Sequence, residues 1–153
     1  MYKIPVSVLV VIHTPDLQVL LLERADHPGY WQSVTGSQDL GETLQQTAQR
    51  EILEETGLLI EQLPLIDWQI ENHYTIYQEW RWRYAPGVTQ NTEHVFGLCL
   101  PEARAITIAP REHLSYRWLP WQVAADKVFS ESNAQAIRLL PLKSADRNQS
   151  TPP

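Results

Sequence analysis

The chain has 153 residues, 43% of them hydrophobic, and a formal charge of −6, enough for one domain that buries roughly two thirds of the surface its unfolded chain exposes. The acidic balance argues against a nucleic-acid partner, which needs a basic surface to release counterions, and no apolar run approaches a membrane span. Cys99 is the only cysteine, so no intramolecular disulfide and no cysteine-based metal site are expected. Met1 to Pro5 lack a signal-like layout, which fits a cytoplasmic setting. A small anionic substrate stays open, since an acidic cluster can bind polyphosphate through metal ions.

In chain order, the β-branched run Ile4 to His13 predicts a strand buried on both faces, with Pro5 tolerated at its start. Thr14-Pro15-Asp16 is a turn, and Gln18 to Arg24 a second strand. Arg24 reads as an ordinary strand-end charge, or as a planar guanidinium for phosphate oxygens. Trp31 to Gly36 is a short strand, within which Thr35 is either a β-former or a hydroxyl facing a ligand.

From Thr43 to Gly57 the pattern is helical. Thr43 and Gln46 make a capping box, Leu44, Ala48 and Ile52 recur at helical spacing, and Gly57 stands where a C′ glycine belongs. Glu51, Glu54 and Glu55 then fall within an arc of roughly 100° on that helix. Like charges at this spacing repel. Either they form a solvated acidic face, or a hard divalent cation such as magnesium or manganese removes the penalty.

Beyond the helix, Ile66 to Tyr84 predicts two strands broken near Asn72-His73, dense in aromatics: Trp68, Tyr74, Tyr77, Trp80, Trp82 and Tyr84. Most suit sheet packing, while one or two could stack on a planar heterocycle. Residues 85–92 form a loop, Glu93 to Leu100 a strand, and Ala105 to Ile108 a further strand. Pro110 to Leu114 is a loop in which Glu112, by itself, is a plain surface carboxylate and His113 an ordinary histidine. Tyr116 to Leu119 follows, then helices over Pro120–Val128 and Ser132–Leu142. The expected organisation is a single domain over residues 1–142 with a polar, proline-ended, disordered tail over 143–153.

The spacing Gly36, five residues, Glu42, seven residues, then Arg50-Glu51-Ile52-Leu53-Glu54-Glu55-Thr56-Gly57-Leu58 resembles the Nudix box at every fixed position. The resemblance implies an α/β Nudix fold: an α/β/α sandwich with a mixed β-sheet and the Nudix loop–helix–loop. It also implies a magnesium-dependent hydrolase, manganese being a possible substitute, of a nucleoside diphosphate linked to another moiety.

Further segments resemble one branch of that family, the bacterial dihydroneopterin triphosphate diphosphatases of folate biosynthesis. They are Lys3 to Ile12, Trp31 to Ser37, Arg83 to Thr89, Asn91 to Glu93 and Glu112 to Leu119. The branch implies that Glu51, Glu55 and Glu112 hold the metal, with Glu54 as the box's extra carboxylate and Glu54 or Glu112 as proton acceptor. It implies that a metal-activated water attacks the triphosphate and releases pyrophosphate. Arg50 would orient the glutamates, and Glu42 would fix the loop to the helix. Lys3, Arg24 and Thr35 match substrate-contacting positions, as does the stretch Tyr74 to Tyr77, although its residues depart from the branch. The aromatic that the branch carries near its last helix has no clean counterpart, Phe129 being close.

Two other readings share the box: a house-cleaning hydrolase of canonical or oxidised nucleoside triphosphates, and a non-catalytic ligand sensor. No proline lies between Leu65 and Ala85, which counts against an ADP-ribose hydrolase, and all the box glutamates are present, which counts against a sensor. Oligomeric state is not readable from these features.

Overall fold

The β-branched run near the N-terminus forms the central strand β1 (Val6–His13) in a computed structural model, which describes residues 1–61 and 63–150, the last five by their backbone. Its side chains alternate between two cores. Val8, Val10 and Ile12 join Leu20, Leu22, Phe96 and Leu98 on one face. Leu9 and Val11 join Val19, Leu21 and Val95 on the other. A strand covered on both faces must be apolar at successive positions, which is why this run lacks simple alternation.

One edge of β1 pairs in parallel with β6 (Gln90–Cys99), from Val6↔Thr92 to His13↔Cys99. Its other edge is shared. The first half pairs antiparallel with β4 (Val34–Ser37), from Ser7↔Ser37 to Val10↔Val34, and the far end meets β2 (Gln18–Arg24) at His13↔Val19. β2 also pairs with β3 (Trp31–Gln32) and β7 (His113–Pro120), and β5 (Leu65–Thr75) lies beyond β6. The chain therefore passes from β2 to β1 between Gln32 and Val34. Ser33 at that crossing is fully buried, and its N–H donates to Asn133 Oδ1 at 2.8 Å.

Helices cover both faces of this mixed sheet. α1 (Leu44–Thr56) sets Ala48 and Ile52 into the first core. The N–H of Gln46 donates to Thr43 Oγ1 at 3.1 Å and the N–H of Thr43 to Gln46 Oε1 at 2.9 Å, closing the capping box. Gly57 ends the helix at φ 74°, a left-handed conformation that favours glycine. α2 (Trp121–Lys127) and α3 (Glu131–Arg138) place Ala124, Ala125, Ala136 and Ile137 in the second core.

Four expectations are corrected. β5 runs unbroken through Asn72-His73, because both pair across to β6; its irregularity falls between Asp67 and Ile70, where Gln69 has φ 58°. The predicted second strand is instead a 3-10 helix, Gln78–Arg83, and its rings pack on one another, Tyr77 to Trp80 at 5.2 Å, rather than on the sheet. Ala105 to Ile108 makes no strand. Ile106 and Ile108 pack on the first core, and the N–H of Thr107 donates to the carbonyl of Thr56 at 2.9 Å. Residues 143–150, expected as part of a disordered tail, continue α4 (Leu140–Ser150), which Leu140 anchors in the second core; 151–153 lie outside the described residues.

Candidate active site

Three carboxylates of α1 line one wall of a cavity of about 1030 Å³. Glu55 is 1% exposed and Glu51 8%, whereas the Glu54 side chain is half exposed. Glu51 comes so close to β4 that a Cβ on Gly36 would run into its carboxyl group. Glycine is needed there for close approach, since that residue's φ is ordinary.

Arg50 organises the cluster from the same helix. Its Nη1 donates to Glu51 Oε1 at 2.7 Å, its Nη2 to the Ser37 carbonyl at 2.9 Å, and its Nε to Glu42 Oε2 at 2.7 Å. Glu42 Oε1 also accepts from the Asp39 N–H at 2.8 Å and from Thr47 Oγ1 at 2.9 Å. The Arg50 guanidinium holds the Glu42 carboxyl down at about 2. One arginine thus ties the loop before α1, the helix and β4 together.

Glu55 is the anomaly. Both its oxygens are buried, against the Glu51 carboxyl and the Thr35 N–H, and the nearest cation-forming group is His113 Nε2 at 3.4 Å. Burial, and after it the charge of Arg24, lower His113 to about 4, so it is neutral near pH 7 and offers no compensating charge. Burial pushes the Glu55 carboxyl well above the usual range, and neighbouring Glu51 and Glu112 push it further. Burial also raises Glu51, against the pull of Arg50. Glu112 is exposed in the loop before β7, where the His113 N–H donates to the Ala109 carbonyl at 2.9 Å.

These oxygens suit a hard divalent cation. Two buried carboxylates side by side are costly unless a cation joins them or a proton is shared between them. Among the described residues no three acidic, His or Cys side chains form a ready metal cage.

The remaining expected residues line the same cavity. Arg24 is engaged rather than free: Nε and Nη2 donate to Asp26 at 2.7 and 2.6 Å, Nη1 to Gln32 Oε1 at 3.0 Å, and its guanidinium lies 4.4 Å above the Trp80 ring. Arg83 joins Asp26 at 3.2 Å. Burial, followed by the charge of Arg83, lowers the Lys3 amine. The Thr35 hydroxyl donates to the Val8 carbonyl at 2.9 Å, which leaves its lone pairs as what a ligand could use. Tyr74 accepts from Asn91 Nδ2 at 3.0 Å, and burial raises its phenol to about 12. Tyr77 is half exposed, in tilted contact with Phe129 at 6.2 Å.

Several lining residues were assigned no role from the sequence, although Ser7, Asn91 and Glu93 lie in segments that resemble the branch. Phe129, the residue left open by the resemblance, stacks on Tyr30 at 4.6 Å and meets the Trp80 edge at 6.1 Å, forming an aromatic wall. Ser7, Asn91 and Glu93 form a polar floor. The available hint was alternation: Asn91 and Glu93 occupy the β6 positions in line with core residue Val95.

A family model for the NUDIX domain matches residues 3–140. The chain is 49% identical over 147 residues to a dihydroneopterin triphosphate diphosphatase from Escherichia coli (strain K12), covering 94% of this chain and 97% of that one. It is 41% identical over 140 residues to the Haemophilus influenzae protein of the same name, covering 90% and 87%. A solved structure of the E. coli dihydroneopterin triphosphate pyrophosphohydrolase superposes with a TM-score of 0.85 at 51% identity, covering 90% of this chain and 94% of that one. With its box, its mixed sheet between helices and these relatives, the chain belongs to the Nudix family.

Proposed function

We propose that this protein is a cytoplasmic hydrolase of dihydroneopterin triphosphate, acting through residues 1–142 and releasing dihydroneopterin monophosphate and pyrophosphate. The observation that carries this reading is the pairing, in one cavity, of two buried carboxylates, Glu51 and Glu55, with an aromatic wall. The first suits a metal-bound polyphosphate and the second a flat ring, and relatives at 49% and 41% identity bear the name of that activity.

Glu51, Glu55 and Glu112 would hold the metal, with magnesium the expected ion and manganese a substitute. Bound there, the ion would neutralise phosphate charge and acidify water. Arg50 keeps Glu51 aimed at that place through its 2.7 Å bond. Glu54 or Glu112, both exposed to solvent, would accept the proton of the attacking water. Arg24 and Arg83 meet at Asp26, and Lys3, close enough to feel both charges, adds a third cation that would face the phosphate chain. Thr35, Tyr74, Tyr77 and Phe129 would border the ring.

The test is product analysis. Dihydroneopterin triphosphate with magnesium should yield equimolar pyrophosphate and monophosphate, with no reaction in a chelator. Release of single phosphates, or undiminished turnover in the chelator, would defeat this reading.

A further inference from the structure

The polar floor of the cavity is not accounted for by phosphate chemistry. Asn91 and Glu93 on β6, Ser7 on β1 and Tyr74 on β5 share one face of the sheet, which continues along these strands as Leu9, Ile70 and Val95 in the second core. Two positions that would suit valine thus carry an amide and a carboxylate, 2% and 4% exposed. Such groups destabilise a fold unless something pairs with them.

Their own partners leave acceptors over. Asn91 Nδ2 donates to Ser7 Oγ at 2.7 Å and to Tyr74 Oη at 3.0 Å, and Oδ1 is left without a partner. Glu93 accepts from Asn72 Nδ2 at 3.3 Å, and the Ser132 hydroxyl at the start of α3 lies against it. Among the described residues no lysine or arginine forms an ion pair with Glu93, and burial raises its carboxyl. The floor therefore presents one oxygen without a partner, Asn91 Oδ1, beside a Glu93 carboxyl that has more lone pairs than Asn72 and Ser132 use, within a cavity also lined by Tyr77, Trp80 and Phe129.

We propose that Glu93, with Asn91 beside it, is the ring-reading subsite, selecting a flat heterocycle that offers two adjacent N–H donors, the 2-amino-4-oxopyrimidine edge. This rests on the triphosphate-hydrolase reading and adds to it the determinant of ring choice. A carboxylate accepts two parallel N–H bonds from such an edge, from the ring N–H and the 2-amino group, much as it does from a guanidinium. Pterin and guanine carry that edge. Adenine sets its amino donor beside a ring acceptor, so one carboxylate oxygen would face a lone pair and stay unpaired. Sites built around substrate N–H groups reject analogues that lack them far more strongly than apolar pockets do.

The test compares wild type with Glu93→Gln on dihydroneopterin triphosphate, GTP and ATP, measuring kcat/KM with magnesium. Alongside it, binding of unphosphorylated dihydroneopterin and of its 2-desamino analogue is measured without metal, by pterin fluorescence. Glu93→Gln should lower the pterin-to-adenine ratio of kcat/KM by about 100-fold, mostly through KM. Wild type should bind the desamino analogue about 100-fold more weakly than dihydroneopterin. A ratio that survives the substitution, an equal fall on all three substrates, or equal binding of the two free rings would overturn the proposal. The ligand-side comparison needs no variant, so it decides even if Glu93→Gln misfolds. If wild type hydrolyses none of the triphosphates, the hydrolase reading fails, and metal-free binding still decides this one.

Discussion

Replacing Glu55 by Gln should stabilise the metal-free protein while removing its turnover. Glutamine keeps the shape of the side chain but cannot ionise. In the native protein the Glu55 oxygens are buried against the Glu51 carboxyl, and neutral His113 at 3.4 Å does not offset their charge. An unsatisfied buried polar group costs about 1–3 kcal/mol, and a charged one more. For a chain of this length each kcal/mol moves Tm by about 2–4 °C, so Glu55→Gln should gain roughly 2–10 °C at pH 8 in a chelator.

The pH dependence follows from the direction of the shift. The folded carboxyl lies above its unfolded value, so between the two the folded state binds more protons, and stability falls as pH rises through that range. The advantage of Gln should therefore be larger at pH 8 than at pH 5 and shrink towards zero below about pH 4.5, where both states of the wild type are protonated. Turnover with saturating magnesium should drop by about two to four orders of magnitude. Thermal melts at pH 5 and pH 8, paired with steady-state rates, give both readouts. A variant less stable than wild type at pH 8, or one with near-native turnover, would refute the reasoning.

Other substitutions probe the remaining parts. Gly36→Ala should displace the Glu51 carboxyl and break its 2.7 Å bond to Arg50, weakening magnesium activation by about 10- to 100-fold, read as the shift in half-maximal magnesium. Phe129→Ala opens the aromatic wall and should raise KM for the pterin triphosphate by about tenfold or more with little change in kcat. Glu42→Gln removes a carboxylate held at about 2 by Arg50. The wild-type advantage in stability should be constant above about pH 4.5 and vanish as pH falls through about 2, measured by urea denaturation along a pH series.

The acidic half of the site was legible because it is local. Glu51, Glu54 and Glu55 lie on one helix whose caps, Thr43 and Gly57, are written beside them, so spacing alone places them together. β1 was legible too, since burial on both faces leaves an unbroken apolar run. The ring end was not, because its parts meet only through the sheet. Asn91 reaches Ser7 across 84 positions, and Glu93 meets Asn72 across 21. The 3-10 helix at Gln78–Arg83 was read as strand because tryptophan and arginine suit a pleated surface as well as a cavity rim. Nothing local tells which of those surfaces their rings will find. Likewise Asn72-His73 looks like a break only until Glu93 and Thr92 are set opposite.

The most direct test of the account is a competition. Wild-type protein with magnesium is given dihydroneopterin triphosphate, dATP and GTP together at equal concentration, and the relative rates of depletion give the ratios of kcat/KM. The account predicts that the pterin triphosphate is consumed first, by at least about 100-fold over dATP, with pyrophosphate appearing in step. Preferential consumption of dATP would contradict it and assign the cavity to an adenine nucleotide instead.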